Sequence, residues 1–222
     1  MIRDHWSLEM LKIKKIKSGF SLIEVAIAVV VIGLLASFTI KGGKLIQSAK
    51  LNSVYDQVTT FKVATQLFME KYGFLPGDLP NANEMIKAGV ESGHGDGKIS
   101  SLDDAKRFWN HLVNSGFLNS ELTDGYPSSK IGGHFYVSNN LNDHEGLWVI
   151  LANGTNDNLN FQGIITTENA HSIDRNNDTG DPTTGEIQIL KGQGASGECI
   201  VGTKYNYQNK NKDCVLIFKI LD

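Results

Sequence analysis

Residues 14–44 decide the fold, and they read KKIKSGFSLIEVAIAVVVIGLLASFTIKGGK. Within this stretch, residues 20–40 carry a single charge, that of Glu24. A helix over these 21 residues is about 31 Å long, which matches the hydrocarbon core of a bilayer. The sequence therefore predicts an N-terminal membrane-spanning helix over residues 20–40.

The charges that flank this stretch predict its orientation. Four lysines stand just before it, at positions 12, 14, 15 and 17. The positive-inside rule places that end in the cytoplasm and the rest of the chain across the membrane. An ordinary secretory signal fits poorly, because its apolar stretch is shorter and a small-residue cleavage site follows it. A plain signal anchor explains the length and the lysines equally well, but it does not explain Glu24.

Glu24 is the informative residue of the apolar stretch. A carboxylate inside a membrane span costs about 3 kcal/mol on insertion scales and is usually functional. The simplest compensation is a positive partner, such as the free α-amino group that a cut just before Phe20 would create. A helix from a neighbouring subunit could carry that amine.

The segment from Lys14 to Val25 resembles the type IV prepilin motif. The matching features are a basic leader, Gly19 before the cut, the aromatic Phe20 as first mature residue and Glu24 as the fifth. The resemblance implies that a prepilin peptidase cleaves between Gly19 and Phe20 and N-methylates Phe20. It also implies that Glu24 neutralises the Phe20 amine of a neighbouring subunit during assembly.

The same resemblance implies partners and a location. The expected partners are the prepilin peptidase, other pilin or pseudopilin subunits, an inner-membrane assembly platform and membrane lipid, without a nucleotide. The protein is expected to cross the inner membrane once, with a cytoplasmic N-terminus and a periplasmic head, and then to reach a pilus (fimbrium) at the cell surface. The leader is residues 1–19 if Met1 is the start, and Met10 is a second possible start.

The expected function is that of a major or minor type IV pilin-like structural subunit. Two alternatives stay open, a type II secretion pseudopilin and a membrane-anchored periplasmic domain that does not assemble. No HExxH or GxSxG motif occurs, so nothing predicts an enzyme. Residues 1–19 contribute +3 and the remainder −6 to the formal net charge of −3, so the bulk charge does not favour a polyanion-binding role.

Residues 41–72 are predicted to continue the helix in amphipathic form. Apolar or small side chains recur at helical spacing, at Val54, Val58, Phe61, Thr65, Phe68 and Tyr72. Gly73 and the prolines at 76 and 80 then end it. Residues 73–222 form the expected globular head.

The head is predicted to hold one short helix and several strands. Residues 101–118 have the apolar spacing of a helix. Short β-branched or aromatic runs predict strands at 134–138, 146–152, 161–167, 186–190 and 214–220. The fold class is therefore α+β, a long N-terminal helix, half transmembrane and half amphipathic, packed on a small antiparallel β-sheet head.

Cys199 and Cys214 are the two cysteines of the chain. The predicted topology places them in an oxidising compartment, where a disulfide is expected. Many pilins resemble this chain in having a C-terminal loop bounded by a disulfide. Two free buried thiols are the alternative.

One segment suggests a metal site and another a nucleotide site. Asp174, Asn176, Asp178 and Asp181 offer oxygen ligands at spacings that suit calcium. The bidentate glutamate of a calcium loop is missing, and Asx-rich turns explain the same pattern, so no cofactor is assigned and calcium stays a candidate. A literal GxGxxG at residues 192–197 has no βαβ unit around it and predicts only a glycine turn.

Overall fold

A computed structural model describes residues 19, 21–139, 141, 144–155 and 160–222, with the backbone alone described at 37–41. The chain divides into two compact units, residues 1–45 and residues 46–222. The helices are α1 (Leu22–Tyr72), α2 (Ala82–Met85), α3 (Leu102–Asn114) and α4 (Thr167–Asn177). The strands are β1 (Leu122–Thr123), β2 (Tyr126–Pro127), β3 (His134–Ser138), β4 (Leu147–Ala152), β5 (Gly154–Thr155), β6 (Phe161–Gln162), β7 (Ile187–Lys191), β8 (Ile200–Val201), β9 (Lys204–Tyr205) and β10 (Cys214–Leu221).

The part of α1 that belongs to the second unit is amphipathic, as the sequence predicts. Its buried face consists of Leu51, Val54, Val58, Phe61, Ala64, Thr65, Phe68 and Tyr72. The Thr65 hydroxyl on this face is satisfied, because Thr65 Oγ1 donates to the Phe61 carbonyl at 2.8 Å. Gly73 then ends the helix with a φ of +75°, a conformation that glycine adopts without steric cost.

An aromatic cluster joins α1 to the rest of the second unit. The ring of Phe61 packs edge-on against Trp109 of α3 at 4.7 Å and against Phe135 of β3 at 5.1 Å between centroids. Such tilted contacts between aromatic rings contribute about 0.5–1.5 kcal/mol beyond the area they bury. Helix α1 therefore contacts both α3 and the sheet through one side chain.

The main sheet has the order β3-β4-β10-β7, and each neighbouring pair is antiparallel. Strand β10 lies between β4 and β7, with Leu216 opposite both Leu151 and Ile189. Every residue of β4 is buried, which explains why its sequence is a continuous apolar run and does not alternate. The α+β class and the antiparallel sheet are confirmed.

The strand predicted at residues 161–167 is wrong over its second half. Only Phe161 and Gln162 are extended in β6, and α4 begins at Thr167. Thr166 caps this helix, since its Oγ1 accepts from Asn169 N at 3.3 Å. The sequence of α4 is largely polar, and its buried positions are Thr167, Ala170, Ile173 and Asp174. With only two apolar residues on the buried face, the helical period is easily overlooked.

The helix predicted over residues 101–118 is present as α3 and is shorter than expected. Ser101 and Asp104 form a capping box at its start, which satisfies two of the orphan backbone donors of the first turn. The helix ends at Asn114, and Gly116 follows with a φ of +81°. The glycine therefore marks the turn after the helix.

His111 ties α3 to two loops of the second unit. The backbone N–H of Gly77 donates to His111 Nδ1 at 2.9 Å, so Nε2 carries the proton and donates to the Glu91 carbonyl at 2.7 Å. The side chain is fully buried, and burial lowers the pKa of His111. The neutral imidazole is therefore the form that fits this position.

We expect the second unit to lose stability as the pH falls below about 6.5, the ordinary His value. The folded pKa of His111 is depressed, so the unfolded chain binds the proton more readily and its stabilisation is complete only above that value. Urea unfolding of the full-length chain in neutral detergent at pH 7.5 and 5.5 measures the loss. His111→Gln should be less stable at pH 7.5 but lose less on acidification, and an equal loss in both proteins would contradict the role of His111.

Candidate functional site

Ser21 and Glu24 close the N-terminal end of α1. The backbone N–H of Ser21 donates to Glu24 Oε2 at 2.8 Å, and the N–H of Ile23 donates to Ser21 Oγ at 3.4 Å. This pattern resembles a capping box, in which an acid at the third helical position reaches back to the backbone of the cap. Such a local role for Glu24 is absent from the sequence-based prediction, although the Ser-x-x-Glu spacing encodes it.

The predicted processing residues lie at this same end of the chain. Gly19 and Glu24 are exposed, so both are accessible in the isolated chain. Phe20 and the lysines of the predicted leader lie outside the described residues. The cleavage between Gly19 and Phe20 and the methylation of Phe20 therefore stay predictions.

The described part of residues 1–45 presents an apolar surface to its surroundings. Leu22 is 91% exposed. The other large apolar side chains that are exposed between it and residue 36 are Ile23, Val25, Ile27, Val29, Val30, Val31, Ile32, Leu34 and Leu35. Burying such a side chain fully gains about 1.5–3 kcal/mol. This surface therefore favours apolar surroundings over water.

Across the part of the chain that the structure describes, we find no helix whose length and hydropathy are those of a membrane span. The span predicted over residues 20–40 includes residue 20 and the side chains of residues 37–40, which lie outside that part. The single-span topology accordingly stays a prediction.

Residues 14–40 match the family model of the prokaryotic N-terminal methylation motif. The matched segment covers the predicted cleavage site, Glu24 and the apolar stretch.

A solved structure is similar to this chain, and no curated protein matches the chain. The solved structure is the major type IV pilin PilA1 from Clostridium difficile. The identity is 16%, the alignment covers 80% of this chain and 98% of that one, and the TM-score is 0.41.

The disulfide predicted between Cys199 and Cys214 is present. Both sulfurs belong to buried residues, and the intervening residues include the β8–β9 hairpin. Cys214 is the first residue of the central strand β10, so the disulfide fixes the hairpin loop to the middle of the sheet.

Asp174 joins α4 to the disulfide-bounded loop. Its Oδ2 accepts from the Tyr205 hydroxyl at 2.6 Å, and its Oδ1 accepts from Gly180 N at 2.9 Å. Burial raises the pKa of Asp174, and the bonds from Tyr205 and Gly180 partly oppose that change. Burial also raises the pKa of Tyr205, and its bond to the carboxylate adds to the effect. Both groups therefore serve a buried structural contact.

The calcium candidates are not gathered into a calcium loop. Asp174 and Asn176 lie two residues apart in α4, so they point to different sides of the helix. Asp178 Oδ2 accepts from Ile187 N at 2.8 Å, and Asp181 Oδ1 accepts from Thr183 N at 2.9 Å. Among the residues with described side chains, no three His, Cys, Asp or Glu are grouped so as to hold a metal ion. The alternating spacing reflects backbone caps and turns.

The GxGxxG sequence is a turn, as predicted. It follows β7, and Gly192 packs so tightly that a Cβ there would lie 2.3 Å from the backbone nitrogen of Gly163. At Gly197 a Cβ would lie 2.8 Å from Nδ2 of Asn209. Close packing against the Gly163 backbone at Gly192 and against the Asn209 side chain at Gly197 therefore explains these two glycines.

The double substitution Cys199→Ser/Cys214→Ser should lower the free energy of unfolding by about 3 kcal/mol, because the disulfide closes a loop of 15 residues. Urea unfolding of the full-length chain in neutral detergent measures the difference. Reductant should lower the stability of the wild type and leave that of the double variant unchanged. Equal stabilities of the oxidised wild type and the variant would contradict a stabilising disulfide.

Proposed function

We propose that the chain is a type IV pilin-like subunit that a prepilin peptidase processes and that assembles into a pilus through its N-terminal helix. The observation that carries the proposal is the match of residues 14–40 to the methylation motif. The exposed apolar side chains of the first unit support it, because neighbouring helices in a filament core would cover them. Glu24 is the one acidic residue of the apolar stretch over residues 20–40.

Glu24 sets the register between subunits in this proposal. Its Oε2 holds the N–H of Ser21, which stays a backbone amide after a cut before Phe20. The other carboxylate oxygen can then accept from the methylated amine of Phe20 on a neighbouring subunit. In apolar surroundings the attraction between two such charges is strong, and an unpaired carboxylate is costly. Only one axial offset between helices satisfies both charges.

The proposed topology places residues 1–19 as a cleaved cytoplasmic leader and residues 20–40 as the span and assembly helix. Residues 41–72 continue the helix, and residues 73–222 form the periplasmic head, which later reaches the cell surface. The disulfide between Cys199 and Cys214 supports this orientation, because disulfides persist in oxidising compartments.

An inner-membrane platform and membrane lipid complete the proposed set of partners. The platform and a separate ATPase would drive extrusion, since the sequence predicts no nucleotide site in this chain. A type II secretion pseudopilin would share the N-terminus and differ in the length of the filament and in its partners. Long surface filaments that contain this chain would separate the pilus from that alternative.

The intact mass of the protein extracted from its native membrane tests the processing step. We expect a chain that starts at N-methylated Phe20, with fragmentation placing the methyl group on that residue. An uncut chain, or one cut after residue 36, would remove the main support for a pilin and leave an anchored or secreted domain.

Substitutions at Glu24 separate its charge from its role as a cap. Glu24→Gln keeps an oxygen that can accept from Ser21 N, whereas Glu24→Ala removes both the acceptor and the charge. Both variants should insert in the membrane. Both should lower filament yield by about tenfold or more, because breaking a desolvated ion pair costs about 3–5 kcal/mol.

Counts of surface filaments by electron microscopy, normalised to the subunit content of the membrane fraction, measure the effect. Glu70→Gln is the matched control, since Glu70 is an exposed glutamate of the same helix in the second unit. Wild-type filament numbers from Glu24→Gln would rule out the charge pairing.

A further inference from the structure

A cavity lined by three lysines lies in the second unit. Its volume is about 220 Å³, and it is bounded by α1, by residues 130–131 and by the segment that leads into α4. The lysines are Lys50, Lys130 and Lys212, and none of the residues that the structure describes around the cavity is acidic. The positive charge of three lysine side chains around one small space favours an anion there.

The floor of this cavity is apolar. It is formed by Leu51, Ile131, Ile164 and Ile165, of which Ile165 is 1% exposed. Gln47 Nε2 donates to Asn169 Oδ1 at 2.9 Å, and both residues belong to the lining. This bond connects α1 to α4 at the edge of the cavity.

The N-terminal end of α4 adds a second positive feature. Asn169 lies in the first turn of this 11-residue helix. Its own N–H donates to Thr166 Oγ1, so the helix dipole is the feature that favours an anion at this end. Glu168 is the acid of that turn, and it lies 3.9 Å from Lys210. It does not line the cavity.

The lysines of the cavity are not compensated by acids within the described part of the chain. The ion pairs that lysines form there involve Lys62, Lys191, Lys210 and Lys219. The side chains of Lys50, Lys130 and Lys212 are exposed and can move to meet a ligand. The net positive charge at the cavity contrasts with the formal net charge of −3 of the whole chain.

We propose that this cavity binds the phosphate group of an anionic phospholipid. The proposal rests on the membrane anchoring proposed above, because Lys50 follows the predicted span by only ten residues. Free phosphate shares the anionic chemistry. The half-buried Ile131 of the lining favours the lipid, since the glycerol backbone and the first acyl carbons can cover it while the lysines hold the phosphate.

Native mass spectrometry of the full-length protein, released from neutral detergent micelles, tests the proposal. The probes are phosphatidylglycerol, phosphatidylcholine and inorganic phosphate. We expect the wild type to bind phosphatidylglycerol about tenfold or more tightly than phosphatidylcholine. The reason is that the attraction of each lysine to an anionic headgroup is by itself worth a several-fold gain in affinity, and three lysines act together. The variant K50Q/K130Q/K212Q should lose this preference.

A matched variant, K87Q/K98Q/K204Q, removes the same charge from exposed lysines outside the cavity and should keep the preference. An unchanged preference in K50Q/K130Q/K212Q would overturn the proposal, as would inorganic phosphate that displaces phosphatidylglycerol at equal concentration.

Membrane fractionation separates failure of the lipid-binding cavity from failure of the proposed function. A wild type that is embedded in the membrane without lipid preference overturns only the cavity, whereas a wild type that is not membrane-bound overturns the proposed function.

Discussion

The second unit depends on the buried face of α1 between Leu51 and Tyr72, because α3 and the sheet both pack against it. Phe61 is the clearest example, with Trp109 on one side and Phe135 on the other. Protein interiors are close-packed, so a shift of this helix would be transmitted to both neighbours. The same helix contributes Gln47 and Lys50 to the basic cavity. One amphipathic segment therefore organises both the core and a surface site.

The loop between Cys199 and Cys214 is held in place by a buried hydrogen-bonded acid and by the disulfide, and not by apolar packing alone. Asp174 is fully buried and bonds to Tyr205 and Gly180, while the disulfide holds the same loop from its other side. A buried carboxylate is tolerated only when its hydrogen bonds are made. The long, polar loop near the C-terminus is thus held by two different interactions, one covalent and one through a buried acid.

Local patterns in the sequence predict part of this molecule well. The buried face of α1 follows from its 3.6-residue period, and the apolar runs predict β3, β4 and β10, because burial on both faces demands such runs. Helix α4 is not predicted, since only Ala170 and Ile173 are apolar on its buried face. The basic cavity combines residues far apart in the chain, such as Lys50 and Lys212. No local pattern in the sequence predicts that these residues lie close together, whereas the Ser21–Glu24 cap can be predicted from the Ser-x-x-Glu spacing.

The position of β10 in the middle of the sheet has a consequence for the order in which the protein can be made. A chain that emerges N-terminus first exposes α1, β3 and β4 well before residues 214–221 are available. Until then β4 has an unpaired edge and β7 has no neighbour in the sheet, since both pair with β10. Contacts of such long sequence separation form slowly, and exposed strand edges invite misassembly. Until β10 is available, the unpaired edge of β4 is therefore the part of the sheet most open to pairing with another chain.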